Sequence, residues 1–118
     1  MRTFRRLLPA AVVGLGLVLT GCTGGHPEVE RQIAAANVGT GAGFEPSTVT
    51  VNKDDNVTLA VGNTSTRVHG FSIEGYGIQR EVEPNNGIQV KFKSTKPGTF
   101  KIWCQLHETH QVATLVVQ

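Results

Sequence analysis

The loop from Trp103 to His110 holds the side chains with the most distinctive chemistry in this chain. It contains Cys104, one of two cysteines, together with His107 and His110, two of four histidines. A thiolate and imidazoles are ligands that zinc and copper prefer in proteins. A buried cysteine beside two surface histidines would give the same spacing. The loop alone therefore leaves a metal site and an ordinary surface loop as alternatives.

His69 is the candidate for a third ligand, and it lies on a predicted strand. Alternate side chains of a strand share a face, so within residues 68–73 His69 lies on the side of Phe71 and Ile73. Because those two neighbours are large and apolar, we expect the imidazole to point inward. A buried imidazole needs partners for its nitrogens, either a backbone carbonyl or a metal.

Cys104 is expected to meet His69 at one end of the fold. Residues 99–104 are predicted to form a strand that carries Cys104 on its inward face, where the strand ends. If the two strand ends meet, His69, Cys104 and His107 supply two imidazoles and a thiolate. That ligand set, with a weak axial fourth ligand, is typical of blue-copper sites. We therefore predict one copper ion per chain.

The first 21 residues are predicted to be a signal peptide. Three arginines among the first six residues precede an apolar stretch at positions 7–19, which is too short to span a bilayer comfortably. The Leu-Thr-Gly-Cys that follows resembles the lipobox of bacterial lipoprotein signal peptides, which implies lipid on Cys22. An ordinary signal peptide with a stray cysteine is the alternative. We expect an extracytoplasmic protein, lipid-anchored to a bacterial membrane, with residues 22–28 as a Gly-rich tether.

Removal of this segment changes the charge and the sulfur chemistry of the chain. Three of the eleven basic residues leave, so eight remain against nine acidic ones, and no nucleic-acid signature is left. If Cys22 is lipidated, Cys104 has no disulfide partner. A lone thiol in an oxidising compartment is at risk of oxidation unless it has a role such as metal ligation. The only methionine is Met1, so the mature chain has no thioether ligand.

The remaining residues predict an all-β domain. Alternating and β-branched runs, separated by turns, indicate six or seven short strands and no convincing helix. These runs lie near residues 48–51, 57–61, 68–73, 79–83, 88–92, 99–104 and 113–117. Residues 28–36 could form a first strand or a helical turn, and the glycines at 39, 41 and 43 predict a flexible loop. The pattern is typical of a β-sandwich.

Residues 29–118 resemble a bacterial cupredoxin domain. The motifs that carry the resemblance are Phe44-x-Pro46, the run 57–61 ending near Asn63, Val68-His69-Gly70-Phe71, Lys96-Pro97-Gly98-Thr99-Phe100 and Cys104-x-x-His107. The resemblance implies a Greek-key β-sandwich of about seven to eight strands that binds copper through His69, Cys104 and His107. It also implies that Asn63 ties two loops by hydrogen bonds. Gln105 and Glu108 are expected to be solvated loop side chains.

The resemblance also bears on the number of copper ions and on the axial ligand. The run from His69 to Ile78 is similar to the binuclear copper domain of cytochrome oxidase subunit II and nitrous-oxide reductase, which needs two cysteines in its ligand loop. This loop has one, so we expect a mononuclear site. Short-loop cupredoxins carry Cys-x-x-His-x-x-Met, which places His110 at the axial position. Counting back from the last strand places Gln111 there instead, and copper without a fourth side-chain ligand is the third alternative.

Three functions fit these residues. The favoured one is a one-electron carrier, active as a monomer, that exchanges electrons with redox partner proteins at the membrane surface. The second is a copper-binding or copper-delivery protein without a role in electron transfer. The third is a hydrolase with Cys104 as nucleophile and His107 as base, which no oxyanion motif supports. We therefore predict a copper protein that is not an enzyme.

Overall fold

Nine strands form two sheets in the computed structural model, which describes residues 26–38 and 41–118. The strands are β1 (Glu28–Val38), β2 (Gly41–Glu45), β3 (Thr48–Val51), β4 (Asn56–Asn63), β5 (His69–Ile73), β6 (Ile78–Val82), β7 (Gly87–Lys93), β8 (Gly98–Trp103) and β9 (Ala113–Val117). The described part of the chain contains no helix, and hence none that is long and apolar enough to cross a membrane. The all-β prediction is confirmed.

Each sheet combines antiparallel neighbours with one parallel pair. The first sheet has the strand order β2-β1-β4-β7 and the second has β3-β9-β8-β5-β6. β1 runs parallel to β4, and β3 runs parallel to β9. The chain changes sheets five times, between β2 and β3, β3 and β4, β4 and β5, β6 and β7, and β7 and β8, so its connections tie the two sheets together at their ends.

The core lies between the sheets and draws side chains from both. β4 alternates strictly between half-buried and buried residues, as expected for a strand with one face on a core. Leu59 of the first sheet and Phe71, Ile102 and Leu115 of the second are fully buried within one continuous apolar cluster. Burial of each such side chain stabilises the fold by about 1.5 to 3 kcal/mol.

Two segments near the N-terminal end differ from the simplest interpretation of their sequence. Residues 28–38 form a strand rather than a helical turn, because β1 pairs with β4 along its length and with β2 near its end. The predicted glycine loop was wrong for Gly41–Glu45, which is β2. Backbone pairing with β1 and burial of Phe44 outweigh the low strand propensity of glycine. The strand count is therefore nine rather than seven or eight.

Adjacent central strands bring the predicted ligands to one end of the sandwich. β5 and β8 are antiparallel neighbours, with Ser72 opposite Trp103 and Ile73 opposite Ile102. The start of β5, at His69, therefore lies beside the end of β8 and the Cys104 that follows it. The loop from Cys104 to β9 closes the same end of the fold.

Candidate metal centre

Three of the predicted ligands converge in the structure. The ligand atoms of His69, Cys104 and His107 all lie within 4.8 Å of one another. The Cys104 Sγ is 3.4 Å from Nδ1 of His107 and 4.0 Å from Nδ1 of His69. His69 and Cys104 are buried, whereas His107 is half-buried. One thiolate and two imidazoles that face each other in this way form a potential copper site.

A backbone hydrogen bond holds the cysteine sulfur. The Gly70 N–H donates to Cys104 Sγ at 3.2 Å, and Cys104 has no disulfide partner among the described residues. This bond fixes the position of the sulfur relative to β5. The thiolate is the form that binds metal.

Gln105 is not a solvated loop side chain, and that expectation was wrong. Its Oε1 accepts from the Ser72 hydroxyl at 2.7 Å, and its Nε2 donates to the Arg80 carbonyl at 2.9 Å. The amide lies so close to Gly70 that a Cβ there would overlap it. Gln105 thus fastens the start of the ligand loop across β5 and β6, and a side chain at position 70 would displace its amide from these hydrogen bonds. Glu108 is exposed, as expected.

Asn63 fixes the loop that leads into His69. Its Nδ2 donates to the carbonyls of Arg67 at 2.7 Å and Val82 at 2.9 Å. Its Oδ1 accepts from the backbone N–H and the hydroxyl of Ser65. The side chain is buried with its donors and acceptor satisfied, so it joins two loops as the resemblance implied.

His110 lies beside the cluster but outside its group of three ligand atoms. It is 5 % exposed, and its ring centroid is 4.8 Å from that of His69. Its Nδ1 lies 3.1 Å from the Gln111 carbonyl, whereas its Nε2 is buried with no hydrogen-bond partner. A buried polar atom of this kind needs an explanation such as an ion, and an imidazole nitrogen suits copper. The Gln111 side chain is exposed.

β2 supports the ligand loop, a role that sequence reasoning missed. The Phe44 ring centroid lies 4.5 Å from that of His110 and 5.7 Å from that of Phe71. The Gln111 N–H donates to the Ala42 carbonyl at 2.9 Å. The available signal was the isolated aromatic at position 44, because a large apolar residue within a glycine-rich run indicates a packed segment.

The fold and the cluster of His69, Cys104 and His107 agree with the family that the sequence matches. The family described as "Cupredoxin-like domain" matches residues 11–117. The chain is a member of the cupredoxin-like family. The expected resemblance to a cupredoxin is thereby confirmed.

A distant curated relative is a subunit of a respiratory enzyme. The chain is 26% identical over 80 residues to cytochrome c oxidase subunit 2 of Thermus thermophilus. The match covers 64% of this cupredoxin and 58% of the relative, so the chain spans little more than half the relative's length.

Solved structures of other copper proteins share the fold. The purple cupredoxin of Nitrosopumilus maritimus superposes with a TM-score of 0.57 at 16% identity, covering 74% of this chain and 98% of that one. A copper nitrite reductase of Nitrosomonas europaea gives a TM-score of 0.65 at 14% identity, covering 77% and 41%. At such identities, these similarities show the fold alone.

Two cavities border the cluster of this cupredoxin. One of about 300 Å³ lies against His69, His107 and His110, and one of about 220 Å³ lies against Cys104 and His107. A larger cavity of about 540 Å³ is formed by β1, β4 and β7 and contains no histidine or cysteine. Among the described residues, the group of side chains that could hold a metal ion lies at the loop end of the sandwich.

Burial keeps two of the histidines neutral. Desolvation lowers the pKa of His69 below its usual value of 6.5, and electrostatic interactions with His110, His107 and Arg67 lower it further. Desolvation also lowers the pKa of His110; its hydrogen bond to Gln111 opposes this effect, and His107 adds to it. Neutral imidazoles retain the lone pair that a metal ligand needs.

The metal-free protein should become less stable as the pH falls below about 6.5. The two buried imidazoles have a lower pKa when folded than when unfolded, so the unfolded chain binds more protons in this range and gains stability relative to the folded one. Urea unfolding of metal-free protein at pH values from 7.5 to 5.5 would measure this loss. His110→Gln should flatten the pH dependence, because it removes one of the two buried imidazoles. A stability that does not vary between these pH values would contradict the expectation.

Proposed function

We propose that this cupredoxin is a one-electron carrier with one copper ion bound by His69, Cys104 and His107. The observation that carries the proposal is the convergence of these three ligand atoms within 4.8 Å. Bound copper would supply the redox couple. The protein's own contribution is to hold two imidazoles and a thiolate in positions that serve both oxidation states.

The attachments around the ligands support this role. Asn63 fixes the approach to His69, Gly70 holds the sulfur, and Gln105 fastens the loop that follows Cys104. A site that changes little between Cu(I) and Cu(II) exchanges electrons with little reorganisation. Ligands fixed by a supporting layer of hydrogen bonds on a rigid scaffold meet that requirement.

The surface beside the ligand loop suits contact with a redox partner. His107 is the half-buried ligand. Leu106 and Val112, in the same loop, are the exposed large hydrophobic residues of the described chain, at 43% and 54% exposure. Exposed apolar groups of this kind support protein docking, and docking here would bring a partner close to the imidazole of His107.

The burial of the sulfur favours electron transfer over hydrolysis. The 3.4 Å separation of Cys104 Sγ and His107 Nδ1 would also suit a nucleophile and its base. The cysteine is only 4% exposed, however, and its sulfur accepts the Gly70 N–H. A substrate carbonyl cannot reach such an atom without rearrangement of the loop, whereas a small metal ion needs much less space.

Replacement of Cys104 by serine should abolish the intense visible absorption of the copper-loaded protein. That absorption arises from charge transfer between thiolate and copper, and a hydroxyl cannot supply it. Optical spectra of copper-loaded wild type, Cys104→Ser and the control His26→Gln would test this, because His26 is an exposed histidine before β1 and outside the ligand group. Survival of the visible band in Cys104→Ser would exclude the proposed site. Reversible reduction of the wild type supports electron transfer, and rapid copper loss to an acceptor protein supports copper delivery instead.

We further propose His110 as the axial ligand. Its support is the buried Nε2 without a partner, beside the ring of His69. An imidazole binds Cu(II) more strongly than a thioether does, and it favours a tetragonal rather than a trigonal ligand field. The site would then be green or red rather than blue, with a lower reduction potential than in methionine-ligated relatives.

His110→Met should therefore turn the copper-loaded protein bluer and raise its reduction potential. Spectra and electrochemical titration of His110→Met, compared with Gln111→Met, would measure both effects. Gln111→Met serves as a matched control because Gln111 is the next residue in the sequence and is exposed. If Gln111→Met produced the change and His110→Met did not, Gln111 would be the axial ligand. If neither variant changed the site, copper would lack a fourth side-chain ligand.

We also propose that lipid on Cys22 anchors the carrier to an extracytoplasmic membrane surface. Residues 1–25, which include the predicted signal peptide, Cys22 and part of the tether, lie outside the described residues. A tether of this kind would raise the effective concentration of the carrier near membrane-bound redox partners. We propose that it acts there as a monomer.

Cys22→Ser should release the protein from the membrane fraction or block removal of its signal peptide, because serine cannot accept the thioether-linked lipid. Fractionation of expressing cells, followed by mass analysis of the mature N-terminus, would detect either result. Cys104→Ser is the matched control and should remain membrane-bound. A wild-type protein that is mature, unlipidated and absent from the membrane fraction would refute the anchor.

A further inference from the structure

Arg67 contacts the outer nitrogen of one of the ligands. Its Nη2 lies 3.3 Å from Nε2 of His107. A guanidinium has only donors, so the imidazole nitrogen must accept. The ring proton then resides on Nδ1, which faces the sulfur of Cys104 at 3.4 Å. Without metal, His107 therefore accepts from Arg67 and donates to Cys104.

Metal binding reverses these roles. Nδ1 is the nitrogen that faces the other ligands, and ligation requires its lone pair. A neutral imidazole bound through Nδ1 carries its proton on Nε2. The Arg67 guanidinium and the His107 Nε2–H are then two donors that face each other with no acceptor between them. Their direct contact is lost on metal binding, and an acceptor oxygen between them would satisfy both.

The surroundings offer space, and Glu108, the acidic neighbour of His107, is exposed and borders a different cavity. Arg67 and His107 both border the cavity of about 300 Å³, whose lining contains no acidic side chain. Its hydroxyl-bearing lining residues are Thr64, Ser65, Thr66 and Thr109. Within the described chain, no carboxylate forms an ion pair with Arg67. A small oxyanion in this cavity would therefore contact the Arg67 guanidinium and hydroxyl groups.

We propose that metal binding converts the Arg67–His107 pair into a carboxylate-binding site. One carboxylate bridges the guanidinium and the Nε2–H through charge-assisted hydrogen bonds. The carboxylate comes either from a small free acid or from an acidic side chain of a docked redox partner. The inference rests on the proposed metal site, and it makes carboxylate binding depend on the metal at His107.

The coupling must work in both directions. If metal strengthens carboxylate binding, the carboxylate strengthens metal binding by the same factor. A partner that inserted an acidic side chain would thus bind the metal-loaded carrier in preference to the metal-free one. Discrimination of about tenfold lies within the usual range for coupled sites.

The experiment compares acetate binding to Zn²⁺-loaded and metal-free protein at constant ionic strength. Zn²⁺ takes the same thiolate and imidazole ligands and has no redox chemistry, so nitrogen NMR can follow His107 Nε2–H and the Arg67 guanidinium. We expect saturable binding that is about tenfold tighter with metal. Arg67→Gln should remove the metal-dependent increase in acetate affinity. The charge-matched control Arg80→Gln should retain it.

A second arm identifies the source of the carboxylate. A short glutamate-containing peptide replaces acetate in the same titration. Saturation by acetate supports a free small acid, and saturation by the peptide alone supports a partner side chain. Binding that is equal with and without Zn²⁺, or unchanged in Arg67→Gln, overturns the proposal. Failure to bind Zn²⁺ or copper at all would instead overturn the proposed metal site.

Discussion

A buried sulfur atom held between two imidazoles is the constraint on which the loop end of this cupredoxin depends. Cys104 follows β8 directly, and its Sγ accepts the N–H of Gly70 from the neighbouring strand. That bond requires β5 and β8 to be adjacent and in the observed register. A side chain at position 70 would displace the amide of Gln105, which occupies that space. The position of the sulfur is thus set by the central sheet.

The two histidine ligands depend on that arrangement in different ways. His69 is fixed by its strand and by Asn63, which fastens the preceding loop through four hydrogen bonds. His107 belongs to a loop that is anchored at both ends, by Gln105 near β8 and by the bond from Gln111 to β2. The strand ligand is therefore buried and rigid, and the loop ligand reaches the surface without losing its position.

Strand periodicity predicted the inner part of the site, and long-range pairing decided the rest. Alternation placed His69 and Cys104 inward because side-chain direction in a strand is a local property. The role of β2 could not be read from its glycines, since pairing with β1 and the packing of Phe44 arise only in the folded chain. Gln105 was misjudged for the same reason: its partners, Ser72 and the Arg80 carbonyl, are distant in sequence.

The four imidazole and thiol groups of this region divide into an inner and an outer set. His69, Cys104 and His110 are buried, and burial lowers the pKa of both histidines, so their neutral imidazoles can bind a cation without first releasing a proton. His107 alone reaches a surface that carries Arg67 and Leu106. In the proposed metal-bound form, the outer nitrogen of His107 would change from acceptor to donor when its inner nitrogen binds metal. The proposed metal site would thereby couple hydrogen bonding at the surface to its own occupancy.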